Sequence, residues 1–267
     1  MRILLTNDDG IDAPGLEVLG RTLAGEGHDL VIAAPPGDLS GSGTALGALQ
    51  HGTTVNTVQV ELAALPGVEA YRIDAPPAFA VLAACTGALG PRPDVVVAGI
   101  NPGHNAGRAV LHSSTVGAAL TAASGGLSAV AVSCGELPAS RFDTAATVAS
   151  AVLHLLTTQL PRRTVLNVNV PDVDLACIKG IRFAPLGPLG VTRISIERSP
   201  DGLRLGLMHN GERLRDDRNL NTDSALIGAG YVTLTALSGG LQELHDVHAQ
   251  EELTRTLAAN LPTPADR

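Results

Sequence analysis

The sequence predicts an α/β fold: a mostly parallel β-sheet with helices on both faces, followed by a hairpin-rich section and a terminal helix. Three observations carry this. Strand-length apolar runs such as Val95-Val-Val97 alternate with longer stretches of helical period over the first 172 residues. Those runs are continuous rather than alternating in hydrophobicity, which suits strands covered on both faces. Past residue 172 the period changes to short alternating segments punctuated by Gly, Pro and Asp.

Taken in order, residues 3–5 read as the first strand, 14–24 as a helix, 30–34 as the second strand, 78–89 as a helix and 94–98 as a strand. Then come a helix at 114–124, a strand at 127–133, a helix at 143–156 with Ala and Val at helical spacing, and a strand at 164–170 that Pro171 ends. Two strand segments near 54–62 interrupt the rhythm. Residues 1–172 therefore form the α/β unit. Residues 173–267 form the second section, with hairpin strands at 180–184, 191–198, 203–208 and 231–237 and an amphipathic terminal helix at 248–261 that packs on its own subunit or on a neighbour.

At 267 residues, 45% hydrophobic and 16% charged, the chain is long and apolar enough to bury a substantial core. Aromatic residues make up 2%, with no Trp, so the core is built from Ala, Val, Leu and Ile, and stacking platforms for single-stranded nucleic acid are excluded. A net charge of −8 opposes an extended polyanion. A small phosphorylated ligand stays open if a metal ion or grouped backbone N–H donors offset its charge. Cys85, Cys134 and Cys177 are odd in number, widely spaced and set in apolar stretches, which reads as buried thiols in a reducing compartment. No signal h-region and no 18-residue apolar span is present, so the expectation is a cytoplasmic protein without a membrane partner.

In open α/β sheets ligands bind beyond the carboxyl ends of the strands. Three loops there carry chemistry: Asn7-Asp8-Asp9-Gly10, the stretch from Pro35 to Gly43, and the stretch from Gly99 to Asn105. Adjacent carboxylates in a low-dielectric crevice require a raised pKa or a cation. The other rim groups are a Ser hydroxyl and Asn amide oxygens, without a Cys or His pair, so a hard ion such as Mg²⁺ or Mn²⁺ is favoured over Zn²⁺. The competing reading makes Asp8 or Asp9 a helix cap or an Asx-turn before Gly10. Two negative charges in the first strand-to-helix turn disfavour a dinucleotide, whose pyrophosphate needs G-x-G-x-x-G there. Farther on, Ser113-Ser114-Thr115 precedes a strong helix pattern. That arrangement either caps the helix or uses its free N–H groups and hydroxyls to hold a phosphate.

The opening Met1-Arg-Ile-Leu-Leu-Thr-Asn-Asp-Asp-Gly10 with Ala13-Pro-Gly15, then Ser40-Gly41, Gly99-Ile-Asn101 with Asn105, and Ser113 to Val116 together resemble the SurE family of stationary-phase survival nucleotidases. The likeness continues through Leu166-Asn-Val-Asn-Val-Pro171, Thr222-Asp223 and Gly230-Tyr-Val232, nearly the whole chain in order. It implies a Rossmann-like core and a 5′-nucleotidase: a metal-dependent phosphomonoesterase acting on nucleoside 5′- and 3′-monophosphates. It also implies a C-terminal section that exchanges elements in homodimers or homotetramers. Carried over residue by residue, it puts one Mg²⁺ or Mn²⁺ per subunit on Asp8, Asp9, Ser40 and Asn101, with Asp8 and Asp9 catalytic. Phosphate contacts fall on Asn105, Ser113, Ser114 and Thr115.

This chain departs from the family pattern at Asp74-Ala-Pro-Pro-Ala-Phe-Ala80, at Gly107-Arg108-Ala109 and at His112-Ser-Ser-Thr115, positions that bear on specificity. Arg108 is either a favourable charge for the phosphate or a solvated surface residue. His104 and His112 are candidate acids for the leaving oxygen, and the attacking group is either water or Asp8. Two alternatives stay open: a phosphatase for a non-nucleotide phosphoester, and a nucleotide-binding sensor without turnover.

Overall fold

The computed structural model describes residues 1–48, 50–135, 141–188, 190–209 and 221–238. A nine-stranded sheet runs through them in the order β3 (Thr57–Val60), β4 (Glu69–Ile73), β2 (Asp29–Ala34), β1 (Arg2–Thr6), β5 (Val95–Pro102), β6 (Ser128–Cys134), β7 (Thr164–Val170), β11 (Val232–Ser238), β8 (Ile181–Phe183). Strand β1 lies in its interior, flanked in parallel by β2 and β5. Beyond β2 lies parallel β4 (Glu69–Ile73), and beyond β5 lie parallel β6 (Ser128–Cys134) and β7 (Thr164–Val170). Ile3, Leu4 and Leu5 are fully buried, which is why three consecutive apolar residues form a strand here.

Helices cover both faces. Helices α1 (Pro14–Gly25) and α4 (Phe142–Gln159) share one core with Ile3, Leu5, Val95 and Val97. Helices α2 (Pro77–Cys85) and α3 (Ser114–Ser124) share the other with Leu4, Val96 and Ala98. Leu16, Leu19 and Leu23 recur at helical spacing on the buried side of α1, behind a Pro in its first turn. Helix α2 stops at Cys85 rather than running to residue 89, because Thr86 caps it and Gly87 follows at φ +83.

Register slips once, in β5. Ala98 pairs with Ala131 and Asn101 with Ser133, so β5 carries one residue more than β6 over this stretch. In consequence Ile100 packs in the same core as Val95 and Val97, although strict alternation would set it with Val96 and Ala98.

The second section is joined to the first more closely than the sequence suggests. Strand β11 (Val232–Ser238) lies antiparallel beside β7, and β8 (Ile181–Phe183) lies parallel to β11, so the sheet crosses the boundary drawn at residue 172. Strand β7 is buried from Val165 to Val170, and Val232 and Leu234 share a core with its Leu166, Val168 and Val170. Of the expected hairpin strands only β9 (Thr192–Ser199) and β10 (Gly202–His209) form a hairpin. Near 54–62 there is one strand, β3 (Thr57–Val60), whose antiparallel partner is β4. The three cysteines are free, but Cys177 is exposed and Cys85 half-buried, so only Cys134 is the buried thiol expected. The terminal helix expected at 248–261 lies outside the described residues. No described helix is long and apolar enough to cross a membrane.

Candidate active site

From β1 the chain moves outward first to β2 and β4, then back across to β5, β6 and β7. The switch point lies between β1 and β5, where a doubly wound sheet opens a crevice at its carboxyl edge. Asp8 and Asp9 follow β1, and Asn101 sits at the end of β5. Thr115, in the first turn of α3, joins them: its hydroxyl donates to Asp8 Oδ1 at 2.5 Å and approaches Asn101 Oδ1 at 3.3 Å. Asp8 is 2% exposed and Thr115 is fully buried.

The loop after β2 is drawn onto the same rim. Leu39 N–H donates to the Asp8 carbonyl at 2.8 Å, and Ser114 Oγ donates to the Leu39 carbonyl at 3.0 Å while accepting from Ser42 N–H at 2.9 Å. Ser40 lies in this loop, exposed, its N–H on Asp38 Oδ1 at 2.8 Å. Helix and loop touch closely because residue 117 is glycine: a Cβ there would stand 2.1 Å from the Gly43 carbonyl oxygen.

Charge at this rim is unbalanced. Burial, then the charges of Asp8 and Asp38, push the Asp9 carboxyl up to about 7. Burial also raises Asp8, against the opposing pull of the Thr115 hydroxyl. Among the described residues no Lys, Arg or His pairs with Asp8, Asp9 or Asp38. Asp9 Oδ2 is buried without a hydrogen-bond partner among the described residues. An orphaned carboxylate oxygen beside a second buried carboxylate is what a cation would satisfy. Among the described residues no group of three or more His, Cys, Asp or Glu has metal-holding geometry. A cation here would therefore rest on two carboxylates and neutral oxygens, a donor set that fits a hard divalent ion.

The remaining expected residues are spread along the loop from β5 to α3. Asn105 Nδ2 donates to Ser133 Oγ at 2.8 Å, and its carbonyl accepts from Asn167 Nδ2 at 2.8 Å and Asn169 Nδ2 at 3.0 Å. Ser113 Oγ accepts from Val116 N–H at 3.1 Å, so it caps α3, while Ser114 and Thr115 point their hydroxyls at the neighbouring loops. His104 Nε2 donates to the Val170 carbonyl at 2.9 Å. His112 ends a 3₁₀ turn (Gly107–His112) and is exposed, as is Arg108. The structure thus joins Asp8, Asn101, Ser114, Thr115 and the Ser40 loop directly, and leaves His112 at the surface.

Sequence reasoning gave no individual role to Asp38, Asn167 and Asn169. Asp38 had a signal, as a third carboxylate two positions before Ser40. The two asparagines had another, as polar residues at alternate positions of an otherwise apolar strand.

Comparison with known proteins points to one family. The family described as "Survival protein SurE" matches residues 3–192. A protein of Ruthia magnifica subsp. Calyptogena magnifica named 5′-nucleotidase SurE is 34% identical over 248 residues, covering 92% of this chain and 96% of that one. A 5′/3′-nucleotidase SurE of Erwinia tasmaniensis is 36% identical over 264 residues, covering 97% of each chain. The crystal structure of the SurE protein from Aquifex aeolicus superposes with a TM-score of 0.78 at 27% identity, over 95% of this chain and 100% of that one.

Proposed function

Because this chain belongs to the SurE family, we infer that it is a nucleotidase, hydrolysing nucleoside 5′-monophosphates, and 3′-monophosphates as well, to nucleoside and phosphate. The observation that carries this is the meeting of Asp8, Asn101 and Thr115 at the switch point, beside an Asp9 oxygen that no donor among the described residues satisfies. Asp8, Asp9, Ser40 and Asn101 would hold one divalent cation, Mg²⁺ or Mn²⁺. Such an ion supplies positive charge opposite the phosphoryl oxygens and lowers the pKa of water.

The chain's own groups do the positioning. Thr115 fixes the Asp8 carboxylate in one orientation through its 2.5 Å hydrogen bond. The start of α3 presents backbone N–H groups and the positive end of its dipole to the phosphoryl group, with Asn105, Ser113, Ser114 and Thr115 around it. Phosphoryl transfer depends chiefly on such geometry and electrostatics. His104, with Nε2 on a backbone carbonyl, acts as a loop anchor, and a leaving-group acid at exposed His112 would have to come with the substrate seated above it. The free cysteines support a reducing, cytoplasmic setting. The C-terminal section would carry dimer or tetramer contacts, which size-exclusion chromatography tests.

Purified protein with Mn²⁺ should release phosphate from nucleoside monophosphates, lose this on chelation, and lose about 10²–10³-fold or more in Asp8→Asn. Tight nucleotide binding without metal-dependent release would favour a sensor. A panel of phosphoesters on which a non-nucleotide wins would favour the other phosphatase reading.

A further inference from the structure

The loop between Asn105 and Ser113 is held from outside the α/β unit by one buried carboxylate. Asp223 opens α5 (Asp223–Gly228) and is fully buried. Its Oδ2 accepts the Gly107 N–H at 2.8 Å. Its Oδ1 accepts the Gly187 N–H at 2.8 Å and the Ser224 N–H at 2.7 Å. Its own N–H donates to the Pro185 carbonyl at 3.0 Å. No described Lys, Arg or His pairs with it, so the carboxylate is held by main-chain N–H groups from three separate stretches, with the Ser224 hydroxyl donating to Oδ1 at 3.3 Å.

The contact falls at a decisive place. Gly107 has φ +59 and begins the 3₁₀ turn that separates Asn105 from Ser113. Beside it, Ala106 packs with Val191 and Ile227 in a small apolar cluster of its own, Ile227 coming from the same short helix as Asp223. On the other side the Asn105 carbonyl takes two amide donors from β7. The outer residues of the turn, Arg108, Leu111 and His112, are exposed. The loop is therefore clamped at its Asn105–Gly107 end, between β7 and the second section.

We propose that Asp223 is a positioning residue for phosphate recognition, acting through the Gly107 N–H to set Asn105 and the approach to Ser113. The C-terminal section thereby shapes the catalytic rim within a single chain. This rests on the nucleotidase reading for its kinetic consequence. The loop's dependence on Asp223 does not.

Asp223→Asn keeps the shape but turns an amide N–H₂ toward a backbone donor. Ile227→Ala loosens the same clamp from its apolar side, and Leu153→Ala, in the α4 core, serves as a destabilised control away from the loop. With Mn²⁺ and a nucleoside 5′-monophosphate, Asp223→Asn and Ile227→Ala should raise KM and the Ki of inorganic phosphate about tenfold, the effect of losing one charge-assisted hydrogen bond. The Mn²⁺ activation midpoint should stay near that of the unaltered chain. Hydrogen exchange should speed up over 103–113 and not over 2–9. Leu153→Ala should move neither the Ki nor the exchange of 103–113. An unaltered Ki with unaltered exchange in Asp223→Asn overturns the proposal, as does an equal shift in Leu153→Ala. If Asp223→Asn does not fold, Ile227→Ala is judged by the same two readouts. If the unaltered chain releases no phosphate, the nucleotidase reading fails and exchange over 103–113 alone decides the role of Asp223.

Discussion

Replacing Gly117 by Ala tests how closely the α3 helix must approach the loop that carries Ser40. The new methyl carbon would stand 2.1 Å from Gly43 O, 2.4 Å from Gly43 C and 2.9 Å from Thr44 N, all backbone atoms. A relaxed C···O contact is about 3.3 Å, so helix and loop must separate by about 1 Å. That strain costs about 1–3 kcal/mol. The separation also stretches the bonds between Ser42 and Ser114, at 2.9 Å each, worth about 0.5–1.5 kcal/mol apiece. Against this stands a helix-propensity gain of about 0.5–1 kcal/mol for Ala over Gly. The net loss is about 1–5 kcal/mol, or roughly 2–20 °C in Tm for a chain of this size. Because Leu39 N–H also holds the Asp8 carbonyl, the shift reaches the rim, and a 1 Å misplacement there lowers turnover about 10²-fold. Gly25→Ala, in α1 with nothing within 4 Å of its Cβ, is the control and should be neutral or slightly stabilising with full activity. Calorimetry and phosphate release measure both. If Gly117→Ala matched Gly25→Ala in both assays, the reasoning would be wrong.

Thr115→Val removes the hydroxyl that holds Asp8 and lowers its pKa, so the acid limb of metal-dependent activity should move to higher pH, while Thr115→Ser keeps it in place; identical limbs would refute the role. In chelator, the folded state holds the Asp9 proton up to about 7 while the unfolded chain releases it near 3.8. The stability tied to that proton is complete below 3.8 and lost as pH rises through about 7. Tm should therefore fall between about pH 4 and pH 7, recover with Mn²⁺ and fall less in Asp9→Asn; parallel profiles for the two chains would contradict it. Arg2 ties the amino-terminal ends of the strands through Asp29 and Glu69, each at 2.8 Å, and the Pro91 carbonyl at 3.0 Å. Arg2→Ala should cost about 1–2 kcal/mol, the exposed carboxylates being partly screened, without changing KM, and a KM change would show that the two ends of the sheet are coupled.

Strands β1 and β7 and helix α3 were legible in the sequence because each is a local pattern: an apolar run between polar ends, or small apolar residues behind a Ser cap. Strand β4 was not, since Glu69-Ala-Tyr-Arg-Ile73 mixes charge and bulk where it nears the sheet edge. The antiparallel insertion of β11 was hidden for another reason. Its alternation of Thr with apolar residues suits a hairpin as well as an internal strand, and its partner lies far upstream in β7. At the rim, the loops bearing Asp8, Ser40 and Asn101 could be read from strand ends alone. The hydrogen bond from Thr115 to Asp8 spans 107 positions and follows only from where α3 docks.

The additional residue in β5 has a consequence for how this chain tolerates change in length. Side chains on a strand take opposite sides by turns, so where Asn101 points depends on parity counted from Val95. With the slip between Ala98 and Asn101, Ile100 falls on the side of α1, and Asn101 on the side where α3 brings Thr115. Removing one residue there would restore a regular ladder and still leave the asparagine facing α3, whereas strict alternation at the present length would turn it toward α1. The irregularity thus lets this strand carry one residue more than its neighbour while Asn101 keeps its facing toward Thr115.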